Sequence, residues 1–193
     1  MSECIFKNTF VVGSTSNRTD ENDSAAIYEA GAAFIYTFSN NNWSFSQKIV
    51  SIERSTSNAF GFDVSIHKEY IAVGEPYCTN PGISYGSAHI FKQDSSGKYI
   101  HNQKIISPQS SGNGAFGFTL LLKNNFLFVG APTKIDGGAV YFYELDSIKF
   151  KIRQVVYDNA LFGQEEYGIS IAQQQNTLVI GAPLHDNPNN GLL

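Results

Sequence analysis

The sequence predicts an all-β chain of four-stranded blades of the β-propeller type, about three and a half of them, and two observations carry that prediction. The first is a recurring pair of elements: an aromatic residue followed by glycine, then an apolar strand closing in Val/Ile-Gly-x-Pro. Phe60-Gly61 leads to Val73-Gly74-Glu75-Pro76, Phe116-Gly117 to Val129-Gly130-Ala131-Pro132, and Tyr167-Gly168 to Ile180-Gly181-Ala182-Pro183. An incomplete copy, Val11-Val12-Gly13-Ser14, stands near the N-terminus. The second observation is spacing. Gly13, Gly74, Gly130 and Gly181 lie 61, 56 and 51 residues apart, and a strand-rich unit of this length repeated along a chain marks a propeller.

Two further series keep the same period. Gly31, Gly86, Gly138 and Gly191 each open the strand that follows, as in Gly31-Ala32-Ala33-Phe34-Ile35-Tyr36. Trp43, Tyr99 and Phe150 occupy equivalent places, and each is followed four residues later by a glutamine: Gln47, Gln103 and Gln154.

Each unit resolves into four short strands, because runs of β-branched and aromatic residues are bounded by turn chemistry. In the second unit the strands are expected over 60–66, 70–74, 88–91 and 99–105. Phe60, Phe62, Val64 and Ile66 alternate, whereas Ile71-Ala72-Val73-Gly74 is continuously small or apolar. That contrast predicts that the second strand is the inner one, buried on both faces, with a half-exposed first strand beside it. Glycine at its end lets crowded backbones approach, and the proline beyond ends the ladder for want of an N–H. The units are expected at about 1–55, 56–110, 111–160 and 161–193, together forming one domain over 1–193. The first is expected to open near its second strand and the last to stop where its third begins.

These motifs resemble the FG-GAP repeats of integrin-α-type β-propellers, which are named for the Phe-Gly and Gly-Ala-Pro elements quoted above. One branch of that family carries a calcium loop of Asp-x-Asp-x-Asp-Gly type between the first two strands of a blade. The corresponding turns here are His67-Lys68-Glu69, Lys123-Asn124-Asn125 and Gln173-Gln174-Gln175-Asn176, which lack the carboxylates a calcium cage needs. The resemblance is therefore to the shorter, calcium-free branch, and no metal or other cofactor is expected. It implies a non-catalytic module for protein interaction or adhesion, working outside the cell or at its surface.

A closed propeller of seven units at this period takes on the order of 380 residues. Three explanations meet that count: a portion of a longer propeller, a partial propeller that self-associates, or an open array packed on another protein. The first is favoured, since an array ending inside a blade leaves a bare strand edge.

Composition fits a packed β domain, with 42% hydrophobic, 13% aromatic and 16% charged residues among 193. A formal net charge of -4 without a basic cluster argues against nucleic acid as a partner. No apolar run reaches a membrane-spanning length, and the first nine residues lack the pattern of a secretion signal. Cys4 and Cys78 are too few for a disulfide framework and are expected to be free thiols.

The search for catalytic patterns turns up little. His67, His89, His101 and His185 share no spacing and are expected to be solvated or hydrogen-bonded structural residues, and Glu165-Glu166 reads as a solvated linker. No nucleophile elbow, zinc-protease pair or phosphate loop is present. The strongest candidate for recognition is the loop over 14–31, where Arg18, Asp20, Glu21 and Asp23 crowd together. The matching loops over 77–85 and 184–190 differ from it in content, and variable loops on a constant scaffold are where partners dock. A second reading makes the chain a structural subunit whose open blade edges pair with other chains.

Overall fold

The computed structural model describes residues 2–80, 83–84, 86–108, 114–133, 137–157 and 166–184. They form an all-β array of antiparallel sheets joined by hairpins. The first sheet holds β1 (Glu3–Phe6), β2 (Thr9–Ser14), β3 (Ala32–Ser39) and β4 (Asn42–Ile49), in that spatial order. The second holds β5 (Val64–His67), β6 (Tyr70–Glu75), β9 (Ser87–Gln93) and β10 (Tyr99–Ile106), with a small β7 (Thr79–Asn80) and β8 (Ile83–Ser84) hairpin in its loop. The third holds β11 (Thr119–Lys123), β12 (Phe126–Ala131), β13 (Ala139–Asp146) and β14 (Lys149–Tyr157). β15 (Ser170–Gln174) and β16 (Thr177–Gly181) form a fourth, two-stranded piece.

The first unit is thus complete, which corrects the expectation that it opens at its second strand. Glu3-Cys4-Ile5-Phe6 alternates in burial and pairs with β2 through a tight turn at Lys7, whose φ is 52°. The first strand of unit two is also shorter than expected. Phe60 leaves the strand to make a parallel bridge to Gly31 of the preceding unit, and the same bridge joins Gly86 to Phe116 and Gly138 to Tyr167.

The order of the sheets further corrects which strand is innermost. β5 lies at the edge of its sheet and packs against β1 on one side and β11 on the other, so first strands converge and β6 is interior to its sheet. Both are buried, β6 throughout its length. Side chains of the first strands tie consecutive units together. Asp63 Oδ2 accepts from Leu120 N (2.6 Å) and Ser65 Oγ from Leu122 N (2.8 Å), while Thr119 Oγ1 donates to Ile169 O (2.6 Å). The other Asp63 oxygen accepts from Ser2 Oγ and Val64 N, so one carboxylate joins three units. Burial pushes it above the usual carboxylate range.

The two motif glycines meet each other. A Cβ on Gly74 would stand 2.0 Å from Gly117 O, one on Gly13 2.0 Å from Gly61 O, and one on Gly130 2.2 Å from Gly168 O. The glycine before proline in one unit therefore faces the aromatic-glycine pair of the next, whose φ of 85–95° excludes most side chains. The core lies between sheets. Val11, Ala33, Ile35 and Ile49 of unit one pack on Ile66, Ile71, Phe91 and Tyr99 of unit two, and Ala72, Ala88, Ile90 and Ile105 of unit two on Leu122, Leu127, Tyr143 and Phe150 of unit three.

The aromatic-glutamine series acts at the same boundaries. Gln47 Nε2 donates to Tyr99 O (2.8 Å) and its Oε1 accepts from Tyr99 N (2.9 Å); Gln103 repeats this on Phe150 (3.0 and 2.8 Å). Each amide clips an outer-strand backbone of the following sheet.

Candidate functional site

The loop over 15–30 leaves β2 and returns through Gly31, and it is built from its own polar residues. Asp20 Oδ1 accepts from Asn22 N (3.0 Å) and Ser24 N (2.9 Å), and Oδ2 from Ser24 Oγ (2.8 Å). The hydrogen bonds from Ser24 hold its carboxyl below the usual range. Asp23 is paired with Lys48 Nζ at 2.8 Å and accepts from Thr19 Oγ1 at 3.1 Å, and the Lys48 contact lowers its pKa. Lys48 rises from β4, buried against the sheet with its ammonium 5.7 Å from the Phe34 ring centroid. Arg54, from the connection to unit two, donates to Ala25 O (2.9 Å) and Arg18 O (2.6 Å). The Arg18 guanidinium lies over the Tyr28 ring at 4.7 Å.

Three of the four residues expected here, Arg18, Asp20 and Asp23, are thus drawn into the loop's internal scaffold. Glu21 is exposed at its rim. The carboxylates are occupied by N–H, O–H and ammonium donors and do not converge into a cation cage; among the described residues no cluster of three or more His, Cys, Asp or Glu is arranged for a metal ion. What the arrangement offers is a preshaped surface of Glu21, Tyr28 and backbone. Of the matching loops, residues 81–82 and 85 and 185–190 fall outside the described residues, as do His185 and Glu165.

Sequence reasoning missed a second cluster. Glu75, Ser87 and His89 are fully buried. Ser87 Oγ donates to Glu75 Oε2 (3.0 Å), His89 Nε2 lies 2.9 Å from the same oxygen and 3.1 Å from Ser87 Oγ, and Asn58 Nδ2 donates to Glu75 Oε1 (3.2 Å). His89 Nδ1 stands 3.3 Å from His101 Nε2. The two histidines that share no sequence spacing are therefore neighbours, because β9 and β10 pair antiparallel. Burial, with His89 alongside, depresses the His101 pKa to about 4. Cys78 is also buried here; both cysteines are free, and burial pushes the Cys78 thiol up, away from the reactive thiolate.

Serine, histidine and carboxylate together invite comparison with a hydrolase triad, and the geometry rules it out. A triad places acid and serine on opposite ring nitrogens so that a proton can pass between them. Here both face Nε2, and none of the three side chains reaches solvent. The cluster is a buried latch at the boundary between units one and two.

The repeat architecture and the blade-to-blade contacts agree with comparison against known families: the FG-GAP repeat model matches residues 43–91. Residues 43–91 are an FG-GAP repeat. The match runs from β4 of one sheet to β9 of the next, so it spans the boundary where the Phe60-Gly61 and Gly74 elements act. FG-GAP repeats build β-propeller-type modules that are generally non-catalytic, and the described four-stranded antiparallel sheets are β-propeller-like blades. No curated protein matches the chain. Among the described residues no helix is long and apolar enough to cross a membrane.

Proposed function

We propose that the chain is a single FG-GAP domain over 1–193 acting as a non-catalytic recognition or adhesion module, of the calcium-free type, which binds protein partners through the loops that follow its Gly-x-Pro elements. Topology supports the display. In each four-stranded sheet the connection between second and third strands, and the connection to the next unit, emerge at the same end, whereas the tight hairpins such as Asn40-Asn41 lie at the other. The observation that carries the proposal is the bracing of the loop over 15–30 by Lys48 and Arg54, which belong to the sheet and to the next connection. A loop ordered before contact spares its partner the cost of ordering it. Asp20 and Asp23 shape the surface, while Glu21 and the half-exposed Tyr28 ring face the partner.

Proximity labelling with the full chain tests this. Partners are expected to be lost on Glu21→Lys and Tyr28→Ala and kept on Asn41→Lys at the opposite end. Retention with both loop substitutions, or loss with Asn41→Lys, would overturn the assignment of the binding face.

A further inference from the structure

The first hairpin of each unit turns at the end of the molecule away from the loop over 15–30. Register aligns these turns: Phe6, His67 and Lys123 close the first strands of units one to three, and Lys7, Lys68 and Asn124 follow them. The three turn residues have φ of 52, 53 and 56°. That left-handed conformation suits asparagine, which unit three has. Lysine gains nothing there from backbone preference, so in units one and two it supplies charge.

β1 and β11 pack on either side of β5, which gathers the three turns around His67. On one side the His67 ring lies 4.7 Å from that of Phe6, and Lys7 Nζ stands 5.6 Å from the Phe6 centroid. On the other, Lys123 Nζ donates to Gln173 O at 2.6 Å. Burial first, then the charges of Lys68 and Lys123, hold the His67 pKa below its usual range, and Glu69 opposes them. Lys48, Lys104 and Lys151 each pair with a carboxylate. Among the described residues Lys7, Lys68 and Lys123 do not. A chain of net charge -4 thus carries three ammonium groups and a histidine on adjacent turns, where Glu69 is the one carboxylate.

We infer that these turns bind an oligophosphate, a linear anion that runs from lysine to lysine past His67. Packed sheets stand ~10 Å apart, so the three lysine positions span more than one phosphate covers, and a chain of phosphates passes from turn to turn. An ammonium meets such an anion as a point charge and needs no planar fork. A free oligophosphate and the phosphorylated headgroup of a membrane lipid both carry this chemistry. The site lies opposite the loop face, so occupancy of one leaves the other open.

Calorimetric titration of the full chain with tripolyphosphate at low ionic strength, with the imidazole NMR signal of His67 followed alongside, tests this. Saturable binding is expected, and the His67 pKa is expected to rise with it, because the anion favours the charged ring. Lys68→Asn and Lys123→Gln install the residues that units three and four carry, Asn124 and Gln174, so the turns keep their form, and circular dichroism checks it. Each is expected to weaken binding about threefold to tenfold. Lys98→Asn, on the exposed outer hairpin of unit two at the same end, is expected to weaken it less than about twofold. Absence of saturable binding overturns the proposal, and so does a His67 titration that binding leaves unmoved. Equal loss from Lys98→Asn overturns it by showing diffuse attraction to a basic end, and orthophosphate binding as tightly as tripolyphosphate overturns the linear anion. Flotation with phosphatidylcholine vesicles, with and without a phosphoinositide, separates the two sources. Capture only with phosphoinositide assigns a lipid headgroup, tripolyphosphate binding without capture assigns a free oligophosphate, and either upholds the site.

Discussion

Gln103 and Gln154 occupy the same place in consecutive units, yet they should respond differently to substitution. Gln103 makes two hydrogen bonds to the backbone of Phe150, at 3.0 and 2.8 Å, beside a ring that is buried in the core between units two and three. Gln103→Ala removes both and leaves an outer-strand N–H and C=O at a covered boundary. At about 0.5–1.5 kcal/mol net for each bond, the loss is about 1–3 kcal/mol, or about 2–12 °C in melting temperature for a chain of this size. Gln154 is exposed on β14, and Gln154→Ala should fall within ~0.5 kcal/mol of the parent. Urea unfolding followed by tryptophan fluorescence and circular dichroism measures both. Equal losses from the two substitutions, or less than about 0.5 kcal/mol from Gln103→Ala, would refute the idea that the glutamine series clips adjacent sheets.

Three further outcomes follow from the same contacts. Gly130→Ala should destabilise the chain by at least about 1–3 kcal/mol in the same unfolding assay, because its Cβ would stand 2.2 Å from Gly168 O and only displacement of backbone relieves that. His101→Phe should flatten the acid limb of stability: with the folded pKa at about 4 against an ordinary 6.5, the unfolded chain takes up a proton first and stability falls as pH drops through that window. The full shift is worth about 3 kcal/mol, which partial exposure of the ring reduces to roughly 1 kcal/mol; an unchanged slope between pH 4 and 6.5 would count against it. Asp63→Ala should cost about 1–3 kcal/mol at neutral pH by leaving Leu120 N–H without its acceptor, and more as pH falls toward the ordinary carboxylate range, since burial raises the carboxyl pKa and protonation of the folded form stabilises the parent there; a cost that shrinks on acidification would count against it.

The fold was legible because its constraints fall on single residues at fixed intervals. The Phe-Gly and Gly-x-Pro elements are the two halves of one close approach, and no side chain substitutes for either glycine there. The glutamine four residues after an outer-strand aromatic is explained at Gln47 and Gln103, where its amide fits one backbone position of the next sheet. Strand order within the sheet was less legible. Burial on both faces is shared by β5 and β6, so hydropathy could not say which is innermost, and only the contacts of β5 with β1 and β11 decide it. Unit one was misjudged because a first strand need not carry the aromatic-glycine pair: Ser2 O accepts from Gly13 N, as Asp63 O does from Gly74 N. In the loop over 15–30 the crowding of Asp and Arg was visible, but Lys48 and Arg54, which brace it, lie far along the sequence.

The buried latch was missed for a different reason, and the reason suggests its own test. Glu75, Ser87 and His89 stand where unit three has Ala131, Ala139 and Tyr141 and unit one has Ser14, Ala32 and Phe34. Each departure alone is a polar group placed in a dry boundary; together they satisfy one another. The signal was therefore three coincident departures from the repeat within one unit, on paired positions of β6 and β9. Glu75→Ala alone takes the shared carboxylate from Asn58, Ser87 and His89, leaving Ser87 and His89 only each other within the cluster, at about 1–3 kcal/mol for a buried bond lost in this way. Replacing Glu75 and Ser87 by unit three's alanines and His89 by unit one's phenylalanine, Glu75→Ala with Ser87→Ala and His89→Phe, removes the dependent hydroxyl and ring and should recover part of that loss, because only the Asn58 amide then lacks the carboxylate. If the triple variant is instead less stable than Glu75→Ala, the network contributes through packing specific to its own shapes, and mutual satisfaction of the three polar groups is not what holds that boundary together.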